Sequence, residues 1–251
     1  MPTALVRPIS PRLPEAVTTY IEREPIDVGL AARQHHEYEQ WLEKQGCRLV
    51  PVEATPDLPD GVFVEDAAIV LDEVAVITRP GAKSRRPEVD TVAAALEAFR
   101  RLERIEPPGT LDGGDVIIID RTLYAGRGQR TNDAAISQLA RLVRGHGYTV
   151  IPVDFTDCLH LKTAATVIAP DTLLINPRWA DPSVFGLEFV AIDPREPFAA
   201  NALRIGDRVL LPAEFPRTRR ILQQRGFEVD AIGMSELLKA EAGVTCCCLV
   251  F

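Results

Sequence analysis

Five short segments of this 251-residue chain share one phrase, a polar knot followed by small residues and a brief apolar run. They read FVEDAAIVL at 63–71, LDGGDVIII at 111–119, LHLKTAATVI at 159–168, FAANALRI at 198–205 and VTCCCLVF at 244–251. With Glu65, Asp112, His160, Asn201 and Cys246 as markers, successive spacings are 47, 48, 41 and 45 residues. A period in this range signals a repeat architecture. The equivalent positions hold carboxylate, carboxylate, imidazole, amide and thiol, the types that a thiol nucleophile, its proton carrier and an orienting acid require.

Each candidate has a reading of its own. Cys246, Cys247 and Cys248 fall in an apolar run that reads as a strand, so Cys246 and Cys248 share one face. Two of them read as small core residues, and Cys246, nearest the knot, as a nucleophile. Neighbouring strand positions do not converge on a tetrahedral metal, so the triplet does not read as a zinc site. His160 opens a strand in register with Cys246. His35 and His36, on the polar helix RQHHEYEQ, read as solvated or capping residues, and His146, between two glycines, as part of a turn. Asp112 and Asp115 bracket Gly113-Gly114; the glycines let the backbone approach a neighbour while an Asp orients His160. Glu65 and Asp66, flanked by apolar residues, suit a cation such as guanidinium. Arg85 and Arg130 each precede a predicted helix. Singly they read as surface residues; on one rim they would clamp a carboxylate bidentately.

These residues need elements to bring them together. After each knot strand a short polar turn leads to a second apolar run, as in VAVITRPG (74–81), TLYAGRGQ (122–129), TLLINPRW (172–179) and RVLLPAEF (208–215), which is hairpin chemistry. Helices are expected next over 29–45, around 89–102, after an N-cap at Thr131, and over 216–225. A third strand then closes each unit. The pattern is β-β-α-β four times, and a fifth unit takes its first strand from the C-terminus (CCCLVF) and its second from the N-terminus (TALVRPI). Five such units around an axis place every knot at one end of a central channel. Nothing resembling a linker interrupts them, so residues 1–251 read as a single domain.

A net charge of −8 argues against nucleic acid as a partner, because phosphate binding needs a basic surface. No apolar run reaches the roughly 18 residues that cross a bilayer, and MPTALVRPIS has neither the basic start nor the apolar stretch of a signal peptide. The expectation is a cytoplasmic protein with a small-molecule substrate. An odd number of cysteines, five, does not form a disulfide framework. An apolar face of the repeats is compatible with a homodimer.

The motifs FVEDAAIV, ITRPGAKSRRPEVD, LDGGDV, QRTN, HLKT, SEL and TCC occur in this order, and with them the chain resembles the dimethylarginine dimethylaminohydrolase (dimethylargininase) family of the guanidine-modifying superfamily. The resemblance spans nearly the whole chain. It implies an α/β fold, a five-bladed α/β-propeller of ββαβ units with pseudo-fivefold symmetry. It also implies hydrolysis of methylated arginines to citrulline without a cofactor or metal. Carried over residue by residue, it makes Cys246 the nucleophile, His160 the general acid and base, and Asp112 its orienting acid. Asp66 with Glu65 matches the guanidinium-binding acids, Asp60 the acid at the substrate α-amino group, and Arg85 and Arg130 the carboxylate clamp. Backbone carbonyls at Thr18, where the lid residue is typically Leu, and at Ala240 would face the α-amino end. Arginine deiminase or amidinotransferase chemistry remains an alternative on the same residues, and a non-catalytic binding module is a third.

Overall fold

Fifteen strands sort into five three-stranded sheets, and in each the most buried strand takes the middle. The computed structural model describes residues 1–251. Val74–Ile77 lies between Ala68–Val70, antiparallel, and Arg101–Arg104, parallel. Thr122–Arg127 likewise lies between Val116–Ile119 and Thr149–Asp154. Thr172–Ile175 sits between Ala165–Ala169 and Glu188–Ala191, and Arg208–Pro212 between Leu203–Ile205 and Glu228–Ile232. The remaining sheet joins the chain's ends, with Thr3–Val6 antiparallel to Leu249–Val250 and parallel to Arg48–Pro51. Runs such as VAVI and TLLI suit the covered central place. The third strands, RLVP and RLER among them, carry charge to an exposed edge, which also guards against edge-to-edge pairing.

Helices Val28–Lys44, Glu88–Leu96, Asp133–Arg144 and Pro216–Gln224 connect second to third strands in four units. The third of these is capped by Asn132, whose side chain accepts from the Ala135 amide, so the expected cap at Thr131 is displaced by one residue. In the unit beginning at Ala165 a 3-10 turn, Pro182–Phe185, stands where the others have a helix. Pro177, Pro182 and Gly186 leave no uninterrupted stretch for one. No helix is long and apolar enough to cross a membrane.

The hydrophobic core is divided into five clusters, each shared by two neighbouring units. One joins Leu5 to Ala75 and Ile77, and the next joins Ile69 and Val76 to Leu123 and Leu139. A third joins Ile117 and Tyr124 to Ala164 and Leu173, and a fourth joins Ile168 and Leu174 to Val209 and Leu211. The last joins Leu210 to Val6 and Val244. The first strands of all five units line one cavity of about 300 Å³.

At the knots the backbones come closer than side chains permit. A Cβ on Gly113 would lie 2.1 Å from the Glu65 carbonyl oxygen, a backbone atom of the neighbouring unit. Gly113→Ala is therefore expected to lower stability to urea unfolding by about 1–3 kcal/mol. Gly145→Ala, at φ −64 with no atom within 4 Å of its Cβ, should leave stability unchanged or slightly higher.

Candidate active site

Three consecutive knots fold as tight helical turns rather than as strand starts. Glu65 and Asp66 belong to the 3-10 turn Val64–Ala67, and Asp115 ends another at Gly113–Asp115. His160 is the N-cap of the four-residue turn Leu161–Ala164, with the strand beginning only at Ala165. The C-terminal knot is also a turn, over residues 244–247, and its strand is only Leu249–Val250. Strand alternation therefore does not govern Cys246–Cys248, contrary to expectation. Turns suit the task, because they aim polar side chains and amides toward one point while the strands behind them stay apolar.

Gly114 is the pivot between two knots. Its amide donates to Asp66 Oδ1 at 2.9 Å. A Cβ there would come within 2.8 Å of both that oxygen and His160 Nδ1. The imidazole packs close against this glycine, and its Nε2 is 3.0 Å from Asp112 Oδ2 and 3.9 Å from Asp66 Oδ1. Asp112 is itself fixed, with Oδ1 accepting from the Gly81 amide at 2.9 Å and Oδ2 lying 3.4 Å from Arg130 Nη1. Asp115 accepts from the Leu161 amide at 3.0 Å and from Thr131 Oγ1 at 2.6 Å, anchoring the turn that His160 caps.

Burial works against a charge on His160, but Asp66, Asp115 and Asp112 outweigh it and raise the imidazolium pKa to about 9. Burial raises Asp115 to about 7 against the pull of His160 and Thr131. For Asp66, burial is overcome by His160 and Arg85, which hold the carboxyl below the usual range. The Cys246 thiol accepts from the Gly243 amide at 3.3 Å. Its removal from water, with Glu65 and Asp66 nearby, pushes its pKa well up, against a smaller pull from that amide and from Lys162. The resting site thus holds a protonated base beside a protonated thiol.

Seven of the ten expected residues line one cavity: Asp60, Asp66, Arg85, Arg130, His160, Ala240 and Cys246. Asp112 sits one layer behind, in contact through His160. Glu65 and Thr18 are not in the wall. Glu65 is taken up by Lys162 at 2.7 Å and Thr245 at 2.7 Å, while its amide donates to the Cys246 carbonyl. Thr18 is half-buried beside Val17, which does line the wall. Asp60 accepts from the Val17 amide at 3.1 Å. Arg85 is no surface residue: it is 4% exposed, 2.6 Å from Asp66 and 2.9 Å from Glu88. Arg130 is also buried, at 6%. His35 is likewise buried, not solvated, and burial lowers its pKa to about 4.

Glu88, Lys162, Asn201 and Glu241 take part without having been assigned chemistry. Glu88 follows Arg85 by one helical turn, a spacing that could have revealed it. Asn201 holds Thr245 from both sides, accepting from its amide and donating to its hydroxyl, both at 3.0 Å. Glu241 accepts from the Thr19 and Tyr20 amides, and no local pattern marks it. Asp66, Asp112 and His160 each present a ligand atom within 4.8 Å of the others. Arg85 and Arg130 already lie against those two carboxylates, so a metal cation there would meet two fixed positive charges.

Residues 51–191 match the arginine deiminase family model. A dimethylarginine dimethylaminohydrolase of Streptomyces coelicolor is 42% identical over 97% of this chain and 94% of its own length. The Pseudomonas aeruginosa enzyme of that name is 32% identical, covering 90% of each chain. A cysteine-to-serine variant of the Pseudomonas aeruginosa protein, solved with citrulline, superposes with a TM-score of 0.94 over 99% of this chain and 98% of that one, at 30% identity. The N-terminal domain of a cyanobacterial arginine dihydrolase shares the fold, with a TM-score of 0.87, 20% identity and coverage of 99% and 97%. This chain, an α/β protein of five small sheets, belongs to the dimethylarginine dimethylaminohydrolase family of the guanidine-modifying (pentein) superfamily.

Proposed function

We propose that this protein hydrolyses Nω-methyl- and Nω,Nω-dimethyl-L-arginine to L-citrulline, releasing methylamine or dimethylamine, with Cys246 as the nucleophile. The observation that carries the reading is the joint placement of Cys246, His160 and Asp66 on one cavity wall. Five core clusters that link each unit to the next support reading the fold as a closed five-bladed propeller, one domain over residues 1–251, with the site at one end of its axis.

The chemistry follows from the resting charges. Asp66 receives the guanidinium, and the cation lowers the pKa of the adjacent thiol, as positive neighbours do. The Cys246 thiol gives up its proton to solvent, and the thiolate attacks the central carbon. His160, held protonated by Asp112 and Asp66, gives its proton to the departing amine, leaving an S-alkylthiouronium on the enzyme. Water then adds to that carbon and loses a proton to His160. The carbon–sulfur bond breaks, freeing citrulline and restoring the thiol. Asp60 holds the α-amino group with the backbone at Thr18 and Ala240. Arg130, whose pairing to Asp112 is long, takes the α-carboxylate beside Arg85. Glu65 acts at one remove, fixing the nucleophile's turn through Thr245. No cofactor or metal enters these steps.

Four outcomes are expected. Citrulline and amine should form from dimethyl- and monomethylarginine far faster than citrulline forms from arginine; activity on arginine alone would make the protein a deiminase. Cys246→Ser should lower kcat by about 10³-fold or more, and full activity would remove Cys246 from the mechanism. The alkaline limb of kcat/KM should lie near pH 9, where His160 loses its proton. Asp112→Asn removes a negative charge that favours the imidazolium, so the limb should move to lower pH; an unmoved limb would separate Asp112 from the acid.

A further inference from the structure

The catalytic cavity encloses about 20 Å³, room for about one water, whereas small-molecule sites run to roughly 300–1,000 Å³. Entry of an amino acid therefore requires part of the wall to move. The segment 17–20 is placed for this: Val17 lines the cavity while Thr19 and Tyr20 are exposed. Few bonds hold it. Val17 N donates to Asp60, Gln129 reaches the Tyr20 hydroxyl at 3.4 Å, and the Thr19 and Tyr20 amides donate to the two carboxylate oxygens of Glu241 at 2.6 and 2.9 Å.

Glu241 occupies a position whose backbone favours glycine. The turn Ser235–Leu238 ends with the Ala242 amide donating to the Leu237 carbonyl and the Glu241 amide to that of Leu238. This is the paired-bond C-terminal cap that places its C′ residue in the left-handed region, usually glycine; here Glu241 has φ +61. A side chain retained against that strain, on the wall of a reactive cavity, points to a task beyond ending a turn. The segment is shared ground. Ala240 and Ala242 line the catalytic cavity, Gly243 donates to Cys246 Sγ, and on the other side lies a cavity of about 390 Å³ that also meets Ile21 and Glu22.

We propose that Glu241 is the latch of segment 17–20, a positioning residue whose carboxylate holds that segment closed over Cys246 and releases both amides before substrate enters. Release would join the small cavity to the larger one across Glu241 and Ala242. The identity of the entering molecule rests on the methylarginine reading; the latch is defined without it.

The test needs no substrate at first. Amide hydrogen exchange of residues 17–20 and alkylation of Cys246, which alone among the cysteines is not buried, are measured on the whole protein and on Glu241→Gly and Glu241→Gln. Glycine suits the left-handed backbone, so its Tm should equal or exceed that of the parent. Exchange of the segment should rise by about tenfold or more, with faster alkylation. Glutamine, keeping one acceptor oxygen, should fall between. With dimethylarginine, Glu241→Gly should lower KM several-fold, because closure no longer competes with entry, while kcat stays within about threefold. Unchanged exchange and alkylation in the glycine variant would overturn the latch and leave Glu241 a structural cap. Faster exchange in a protein that turns over no methylarginine would uphold the latch and remove the substrate reading instead.

Discussion

The contact between His160 and Asp112, 3.0 Å long and shut off from solvent, is the constraint that the surrounding structure answers to. A charged imidazole in a protein interior is untenable without partners, and here the partners come from several units. Asp112 lies in one knot, Asp66 in a second, and His160 caps the turn of a third. Each carboxylate is in turn tied to an arginine, Asp66 to Arg85 and Asp112 to Arg130, and Arg85 is shared with Glu88. Buried networks of this kind contribute little net stability but are expensive to break. Their value is geometric, since no member can relax without stranding a charge on another.

The excess of acid over base in this cluster bears directly on the ligand. Asp60, Asp66, Asp112, Asp115 and Glu88 face Arg85, Arg130 and His160, with Arg7 beside Glu88, five acids to four basic groups, all of them buried. Burial lifts the pKa of Asp60, Asp115 and Glu88 to relieve part of the imbalance. What remains is a site that gains from a delocalised cation near Asp66 and also presents an arginine to an anion. An amino acid bearing a guanidinium side chain has both charges at its two ends.

How far the sequence disclosed this depends on the scale asked about. Period and hydrophobic pattern were sufficient for the hairpin and third strand of each unit and for the joining of the two termini in one sheet, because short buried strands leave a plain apolar signature. Local conformation at the knots was hidden, since a turn of three or four residues has no periodicity to detect. Hence Glu65, His160 and Cys246 were expected in strands and stand in turns. Pairings between distant residues were hidden too: nothing near Arg85 in the chain predicts Asp66, and Lys162 at Glu65 is visible only once the units are assembled. Thr131 and Asn132 show the finer limit. Both residue types cap helices, and the choice between them was made by Asp115, which claims the Thr131 hydroxyl.

The resting thiol gives the arrangement its selectivity. Burial first, and Glu65 and Asp66 after it, disfavour a thiolate at Cys246, so in the proposed mechanism the sulfur is a poor nucleophile until a cation arrives. Asp66, the acid proposed to receive the guanidinium, therefore also withholds reactivity in its absence. A neutral electrophile of equal size gains neither the binding contact nor the ionised sulfur, and discrimination comes from one charge acting twice. Placing the nucleophile in a turn at the C-terminal end of the chain is consistent with that coupling. The Cys246 carbonyl accepts from the amide of Glu65, and Glu65 in turn accepts from Thr245, so the Cys246 turn and the turn that carries Glu65 and Asp66 are fixed to one another only when the last strand has docked beside the first.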